Sequence, residues 1–252
     1  MAADEGYQVF HGVFTAADML EAIEQVSNAP LERTRAGARH LLGVPIVRQI
    51  ADDPRLLKLA RRFVGPAAVP FRATLFDKSP EANWLVPWHQ DTTLPLRRQV
   101  PGEKWGPWST KAGVLYAHAP AWALAHVVAL RVSLDDSSAA NGPLRVLPDT
   151  HLLGVLTDAQ IEALAHERRA AVDCVAASGS VVAMRPLAVH ASSKATVPQR
   201  RRVLHLEYAA ALDLGAGIEL AVASNEESPG DRPTEIGASV EDSRNGDTDR
   251  RS

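Results

Sequence analysis

The sequence predicts a mainly β fold with flanking helices, arranged as a jelly roll or a related β-sandwich. Two observations favour this class. In the first third of the chain, apolar residues recur at helical spacing, whereas later segments alternate and are separated by Gly, Pro and Asn turns. Since 252 residues suffice for one large β core, we expect a single domain over residues 1–223.

Three helices are expected around this core. Thr15 can cap the first, AADMLEAIEQV, and the second, DPRLLKLARRFVG, has Pro54 near its start and Gly65 at its end. A short third helix is expected in TDAQIEALAHERR, capped by Thr157 or Asp158. The apolar residues of the first helix share one spacing: Met19, Leu20, Ile23 and Val26.

Strands are expected in five later segments, because their apolar and polar residues alternate or because turn signals bound them. These are VPFRATLFDK (69–78), VVALRVSLDD (127–136), NGPLRVLP (141–148), SGSVVAMRP (178–186) and RRVLHLEYAA (201–210). In the first of them, Arg72 and Thr74 lie on the face opposite Phe71 and Ala73. The strands are therefore expected to have one apolar face and one face that can carry polar groups.

Composition excludes several classes of protein. A net charge of -3 and a pI near 6.3 give no basis for binding nucleic acid or an anionic membrane surface. No run of 18 apolar residues predicts a membrane span, and the single Cys174 allows no intrachain disulfide. We expect a cytoplasmic protein of undetermined oligomeric state. Residues 224–252 are rich in charge, Gly, Pro and Ser, and are expected to form a disordered tail.

A histidine and a carboxylate stand in the apolar stretch NWLVPWHQDTTLPL. His89 and Asp91 are two residues apart, so on a strand both side chains point to the same side. By themselves they could equally be a buried hydrogen-bonded pair. His190, near the end of a later strand, can supply a third ligand. Two histidines and one carboxylate on one face of a metal are typical of non-haem iron(II) oxygenases, although a hydrolytic zinc site is chemically possible.

An arginine and a serine follow His190 in the sequence. Arg201 stands eleven residues after it, and Ser192 lies on the same strand face. A cosubstrate that chelates iron through a 2-oxo acid carries a second carboxylate several ångströms away, and a guanidinium matches that carboxylate best. A hydrolytic site would give Arg201 no purpose. Since Arg201 belongs to a run of three arginines, the alternative interpretation of that run is a solvated strand edge.

These motifs together resemble the phytanoyl-CoA dioxygenase family of Fe(II)/2-oxoglutarate oxygenases. The matching segments are FDKSPEANWLVPWHQD, LRVSLDDSSAANGPLRVLPDTH and VHASSKATVPQRRRV, within residues 65–210. The resemblance implies a double-stranded β-helix (jelly roll, cupin-like). It also implies that Fe(II) and 2-oxoglutarate are the cofactor and cosubstrate, with O2 and a small organic molecule as the other reactants.

The resemblance also assigns roles to residues. It makes His89, Asp91 and His190 the catalytic iron ligands. It makes Arg201 and Ser192 the partners of the distal 2-oxoglutarate carboxylate, and it adds two further pocket positions, Thr74 and Arg131. Since Asp91 is kept where related halogenases have a small residue, the expected reaction is hydroxylation of an unactivated C–H bond, with desaturation open. The alternative is a catalytically silent jelly-roll protein that binds metal or a small molecule.

Other polar and aromatic residues have simpler expectations. Strand alternation places His205 near the proposed pocket, whereas the remaining histidines are expected to be structural or exposed. Lys78, Gln90 and Lys111 either contact substrate or lie at the pocket entrance. The Pro/Gly-rich segment 100–113 is either a lid over the site or a simple strand connection.

Overall fold

The computed structural model describes residues 4–100, 104–167 and 171–222. The predicted tail, 224–252, lies outside the described residues. Five α-helices and a 3₁₀ turn are present there: α1 (Ala16–Asn28), α2 (Pro45–Ala51), α3 (Pro54–Val64), α4 (Ala121–Leu124), the 3₁₀ turn (Thr150–Leu153) and α5 (Asp158–His166). No helix in these residues is long and apolar enough to cross a membrane.

Short strands form most of the remaining regular structure. They are β1 (Tyr7–Phe10), β2 (Arg33–Thr34), β3 (Gly37–Arg39), β4 (Val69–Lys78), β5 (Val86–His89), β6 (Thr93–Pro95), β7 (Trp108–Lys111), β8 (Val114–His118), β9 (Val127–Ser133), β10 (Leu144–Val146), β11 (Val172–Cys174), β12 (Val181–Met184), β13 (His190–Ser192) and β14 (Arg201–Ala209). The mainly β fold with flanking helices is confirmed.

The three predicted helices are present, and they begin and end at capping residues that the sequence contains. Thr15 accepts a hydrogen bond from the backbone N–H of Asp18, and the Asp18 carboxylate accepts one from the backbone N–H of Thr15. Helix α3 begins at Pro54 and ends at Val64, with Gly65 as the residue that stops it, as predicted. Thr157, rather than Asp158, caps α5. Helix α2 was not predicted, because its seven residues are too few to show a clear period.

Three antiparallel sheets make up the fold. The largest has the strand order β1-β12-β9-β14-β4-β3-β2, the second has the order β11-β10-β13-β5, and the smallest has the order β6-β8-β7. Many neighbours in these sheets are distant in sequence: β14 pairs with both β4 and β9. Residues from strands that are far apart in the chain can therefore meet in one site. The seven-stranded and four-stranded sheets lie on either side of one cavity, as in a jelly roll.

The two faces of the large sheet differ in chemistry. One face packs Leu75, Leu130 and Leu206, with their neighbours, against the helices in the main hydrophobic core. The opposite face presents polar residues from the central strands toward the second sheet, and several are fully buried or nearly so. The polar residues on this face include Arg72 and Thr74, which are half-buried, and Arg131, His205 and Glu207, which are buried. Since polar groups are costly to bury without partners, this face is the first indication of a functional cavity.

Replacing Leu130 by alanine tests the structural role of the apolar face. Leu130 is 0% exposed, so we expect Leu130→Ala to lower the free energy of unfolding by about 2–5 kcal/mol. The control is Leu20→Ala on α1, because Leu20 is 68% exposed and its loss should cost within about 0.5 kcal/mol. Urea unfolding of both variants measures the difference. Equal stability of the two would contradict the packing described here.

The segment expected to be a lid or a connection contains regular structure. Residues Trp108–Lys111 form β7, which pairs with β8 in an antiparallel hairpin. Residues 101–103 lie outside the described part of the chain. The hairpin brings Lys111 to the cavity wall, so part of the segment contributes to the site directly.

Candidate metal centre and its pocket

Neighbouring strands of the second sheet bring together the two predicted histidine ligands. His89 is the last residue of β5 and His190 is the first of β13, and the two are directly paired across the sheet. Their ring centroids are 4.2 Å apart. Asp91 follows two residues after His89, where its backbone N–H donates to the carbonyl of Pro186 at 2.9 Å. The turn before β13 thus fixes the position of the carboxylate.

The three side chains converge on one point. One ligand atom from each of His89, Asp91 and His190 lies within 4.8 Å of the other two. The distance from Asp91 Oδ1 to His89 Nε2 is 3.8 Å, and that from Asp91 Oδ2 to His190 Nε2 is 3.6 Å. Both distances are too long for a hydrogen bond. The arrangement therefore differs from a buried hydrogen-bonded pair, which was the simpler interpretation of His89 and Asp91.

The outer nitrogens of the two imidazoles determine which nitrogens face the centre. His89 Nδ1 lies 2.8 Å from the carbonyl of Pro87, and His190 Nδ1 lies 2.9 Å from that of Ala188. Since a carbonyl can only accept, each Nδ1 donates, and each Nε2 is left with a lone pair directed at Asp91. Ligating histidines are typically held by such bonds. The donor set and its orientation thus fit a divalent metal, and iron(II) in particular.

The electrostatics favour the protonation states that a metal needs. Burial lowers the pKa of His190 to about 4, although the charge of Asp91 opposes the shift. Burial would raise the pKa of Asp91, but the neighbouring histidines, His190 first, outweigh it and hold that pKa below its usual range. At neutral pH the cluster therefore contains a neutral imidazole at His190 and an ionised carboxylate. Both are the forms that bind a metal.

Beyond His190, two cations are buried side by side. Arg201 is 3% exposed and Lys78 is 1% exposed. Lys78 Nζ donates to Ser192 Oγ at 3.0 Å and to the carbonyl of Ser193 at 2.6 Å. Arg201 donates to the carbonyl of Asn141 at 3.3 Å and to Ser192 Oγ at 3.4 Å. Neither cation forms an ion pair with a carboxylate among residues 4–100, 104–167 and 171–222.

Burial disfavours the charged forms of Lys78 and Arg201 and therefore lowers both of their pKa values. Burial, together with the charges of Arg201 and Arg131, lowers the pKa of Lys78 to about 8. Burial and the charge of Arg131 lower the pKa of Arg201 to about 10. Since a buried charge without an opposite charge is unfavourable, this end of the cavity is preorganised for an anion.

The three remaining predicted positions also line the cavity. Thr74 and His205 are directly paired across β4 and β14, and His205 is paired with Arg131 across β14 and β9. Arg131 Nη1 donates to His205 Nδ1 at 2.9 Å. Burial and the charge of Arg131 hold the pKa of His205 well below its usual range, so its imidazole is neutral and accepts this bond. Ser192 lies between Lys78 and Arg201.

Two features of the cavity were missed by the sequence reasoning. The first is the place of Lys78, which was expected to contact substrate or lie at the pocket entrance but is buried behind Ser192, on the face where alternation also places Arg72 and Thr74. The second is a buried group on the opposite side of the metal cluster. Here Arg72 is paired with Glu207, and the Tyr116 hydroxyl lies 2.8 Å from His40 Nε2. No local pattern connects these four residues, because they lie on different strands or loops.

A single cavity of about 310 Å³ connects most of these groups, whereas Lys78 and His40 lie behind its wall and act through Ser192 and Tyr116. It is lined by the metal cluster, by Arg201 and Ser192 at one end, and by Arg39, Arg72, Lys111 and Tyr116 at the other. A cavity of this size matches a small-molecule site. The fold and the site therefore define a jelly-roll protein with a two-histidine, one-carboxylate centre in a pocket that is open to solvent on one side.

The phytanoyl-CoA dioxygenase (PhyH) family model matches residues 4–203. The chain belongs to this family, and it is a non-haem enzyme that depends on iron(II) and 2-oxoglutarate. The resemblance drawn from the motifs is thereby confirmed. A comparison with curated proteins finds no match.

Solved structures with the same fold include the following three proteins. AviO1 from Streptomyces viridochromogenes Tue57 is 22% identical, with a TM-score of 0.58 over 86% of this chain and 93% of its own. HygX from Streptomyces hygroscopicus, solved with nickel and 2-oxoglutarate bound, is 19% identical, with a TM-score of 0.59 over 81% and 83%. The alpha-ketoglutarate-dependent epimerase SnoN from nogalamycin biosynthesis is 19% identical, with a TM-score of 0.58 over 81% and 76%. These similarities confirm the fold.

Proposed function

We propose that this protein is a hydroxylase that oxidises an unactivated C–H bond of a small organic molecule and releases succinate and CO2. The observation that carries the proposal is the pair of buried cations, Arg201 and Lys78, behind the cluster of His89, Asp91 and His190. A metal cluster alone would suit several chemistries. The buried cations without a carboxylate partner in the described chain call for a dianionic cosubstrate that reaches from the metal to them.

Each group of residues in the cavity has a separate proposed role in binding the metal or the cosubstrate. His89, Asp91 and His190 would hold iron(II) on one face and leave the opposite face open. Arg201, Lys78 and Ser192 would hold the distal carboxylate of 2-oxoglutarate. When bound, iron and 2-oxoglutarate supply the activation of O2 for C–H oxidation. Thr74 and Arg131 would line the cosubstrate's path, and the His205–Arg131 bond keeps that guanidinium in place.

The epimerase SnoN indicates that this fold also supports reactions other than hydroxylation. We favour hydroxylation because Asp91 would occupy the metal position at which a halide would otherwise bind, and because net hydroxylation needs no further acid or base than the described cluster. The cytoplasmic location expected from the sequence stays a prediction.

An anaerobic titration with Fe(II) and 2-oxoglutarate tests the proposed function. Full-length protein should develop the weak visible charge-transfer band of the iron–2-oxoglutarate chelate, with one equivalent of each component. On exposure to O2, the same sample should release CO2 and succinate. Iron binding without the band would favour the catalytically silent binding protein instead.

Lys78 predicts a pH dependence for cosubstrate binding. The pKa of Lys78 in the free protein is lowered to about 8, so the amine loses its charge as the pH rises through this value. A dianion binds better to the protonated form. We therefore expect the Kd of 2-oxoglutarate to rise between pH 7.5 and 9.5 by up to about tenfold per pH unit above the free-protein pKa. Calorimetric titration across this range, with a metal present, measures it.

The variant Lys78→Met is the matched test of that pH dependence. It keeps the length and apolar stem of the side chain but removes the titrating amine. Its Kd for 2-oxoglutarate should be weaker than that of the wild type at pH 7.5 and nearly constant up to pH 9.5. Lys58→Met, an exposed position on α3, serves as the control and should keep the wild-type profile. A sloped profile in Lys78→Met would assign the titration to another group.

A further inference from the structure

The end of the cavity opposite Arg201 carries an excess of positive charge. Arg39, Arg72 and Lys111 line it, and the carboxylates that share the cavity with them are Glu207 and Asp91, the latter already assigned to the metal cluster. Glu207 is 2% exposed and is held in a two-pronged ion pair by Arg72. That carboxylate is therefore already neutralised, and the charges of Arg39 and Lys111 remain.

The positions of Arg39 and Lys111 are set by backbone pairing. Arg39 is directly opposite Thr74 across β3 and β4, so both side chains lie on the cavity face of the large sheet. Lys111 ends β7, and its Nζ lies 5.0 Å from the centroid of the Tyr116 ring. The Arg72 guanidinium lies 5.6 Å from the same centroid. The Tyr116 ring therefore contacts two cations, Arg72 and Lys111, at one wall of the pocket.

Neither Arg39 nor Lys111 forms an ion pair with a carboxylate in the part of the chain that the structure describes. Lys111 is partly buried, and burial together with the charges of Arg39 and Arg72 lowers its pKa. Arg39 is exposed at the mouth of the cavity. Since a partly desolvated cation such as Lys111 gains most from an opposite charge, this wall is suited to an anionic ligand that the exposed Arg39 can also reach. The 2-oxoglutarate carboxylates are accounted for at the metal and at Arg201, so the anion here must belong to the substrate.

We propose that the substrate is a small acid, with a carboxylate or phosphate group that lies between Arg39 and Lys111 while the C–H bond to be oxidised faces the metal cluster. The inference rests on the proposed function. It adds the substrate class, which neither the family nor the compared structures define for this chain. Tyr116, held by His40, would position the cations rather than touch the reacting atoms.

Matched pairs of aromatic probes test the charge requirement. Full-length protein is loaded anaerobically with Fe(II) and saturating 2-oxoglutarate, and formation of the chelate band is recorded. The sample is then titrated calorimetrically with benzoate and its neutral isostere benzamide, with phenyl phosphate and phenol, and with the cation benzylamine. We expect each anion to bind at least about tenfold more tightly than its neutral partner. The two anion arms distinguish a carboxylate from a phosphate as the preferred group.

The location of the anion is tested by substitution. Arg39→Met and Lys111→Met remove one charge each at side chains that are not part of a hydrophobic core, so folding should be preserved, as thermal melting would check. Each should reduce the preference for the anion by roughly threefold, and the two together should abolish it. Lys58→Met on α3 is the control and should leave the preference unchanged.

The outcomes separate the substrate inference from the proposed function. Equal binding of benzoate and benzamide, tighter binding of benzylamine, or an anion preference that survives the double variant would each overturn the substrate class while the chelate band still supports the oxygenase. If the band does not form, the proposed function fails. A preference that still depends on Arg39 and Lys111 would then establish the anion site by itself.

Discussion

Replacing His190 by alanine is expected to remove the metal and, with it, all turnover of 2-oxoglutarate. The imidazole offers one of the three proposed ligand atoms, and its Nδ1 bond to the carbonyl of Ala188 directs Nε2 at the centre. Because loss of an outer partner alone costs roughly 10–100-fold in metal affinity, loss of a direct ligand should cost at least about 100-fold. Anaerobic Fe(II) titration and the chelate band measure the two effects separately.

His118→Ala is the matched control for this variant. His118 is an exposed histidine whose Nδ1 contacts the Thr92 hydroxyl at 2.9 Å and which does not belong to the cluster. Its removal should leave iron binding and 2-oxoglutarate consumption at the wild-type level. If His190→Ala folds normally and still binds iron with an unchanged Kd, the assignment of the metal centre is wrong.

The second large effect is expected from Arg201→Met. If the guanidinium holds the distal carboxylate, its loss removes charge-assisted hydrogen bonds worth about 2–4 kcal/mol, or roughly 30–1000-fold in the Kd of 2-oxoglutarate. Iron affinity should stay unchanged. The free variant should be no less stable than the wild type, and its Tm should be equal or higher, because a buried cation without a carboxylate is a cost.

Arg200→Met is the control for Arg201→Met. Arg200 is the adjacent residue, but its guanidinium is exposed and paired with Asp77 at 2.6 Å. It should bind 2-oxoglutarate as the wild type does. A larger loss in Arg200→Met than in Arg201→Met would mean that the wrong arginine of the run had been chosen.

Much of this site could be predicted from the sequence because strand alternation is a local rule. Once 69–78 and 201–210 are strands, alternation decides that Thr74 and His205 share a face with Arg72 and Glu207. The same rule separates Arg201, which is buried, from Arg200 and Arg202, which pair with Asp77 and Asp135. Helix caps such as Thr15 are local too, and they were predicted correctly.

The rest depends on contacts that no local pattern encodes. The bond between His40 and Tyr116 joins residues 76 positions apart, and that between Arg72 and Glu207 joins residues 135 apart. His40 has a positive φ of 59°, an unusual conformation that is found where surrounding structure holds it. Its partner could not be inferred before the hairpin β7–β8 was placed. The substrate end of the cavity therefore became visible only in the structure.

The proposed cosubstrate site draws its residues from two sheets, and this has a mechanical consequence. His89 and His190 belong to the second sheet, whereas Arg201 and Lys78 belong to the large one. A chelated 2-oxoglutarate would link the two sheets, and the Tm of the protein should therefore rise with the concentration of 2-oxoglutarate. Succinate keeps the distal carboxylate, but C1 has left as CO2 and the C2 keto group has become a carboxylate, so turnover would replace the two-point chelate at the metal end by a weaker contact. Each catalytic cycle would therefore loosen and then restore the link that the cosubstrate makes between the two sheets.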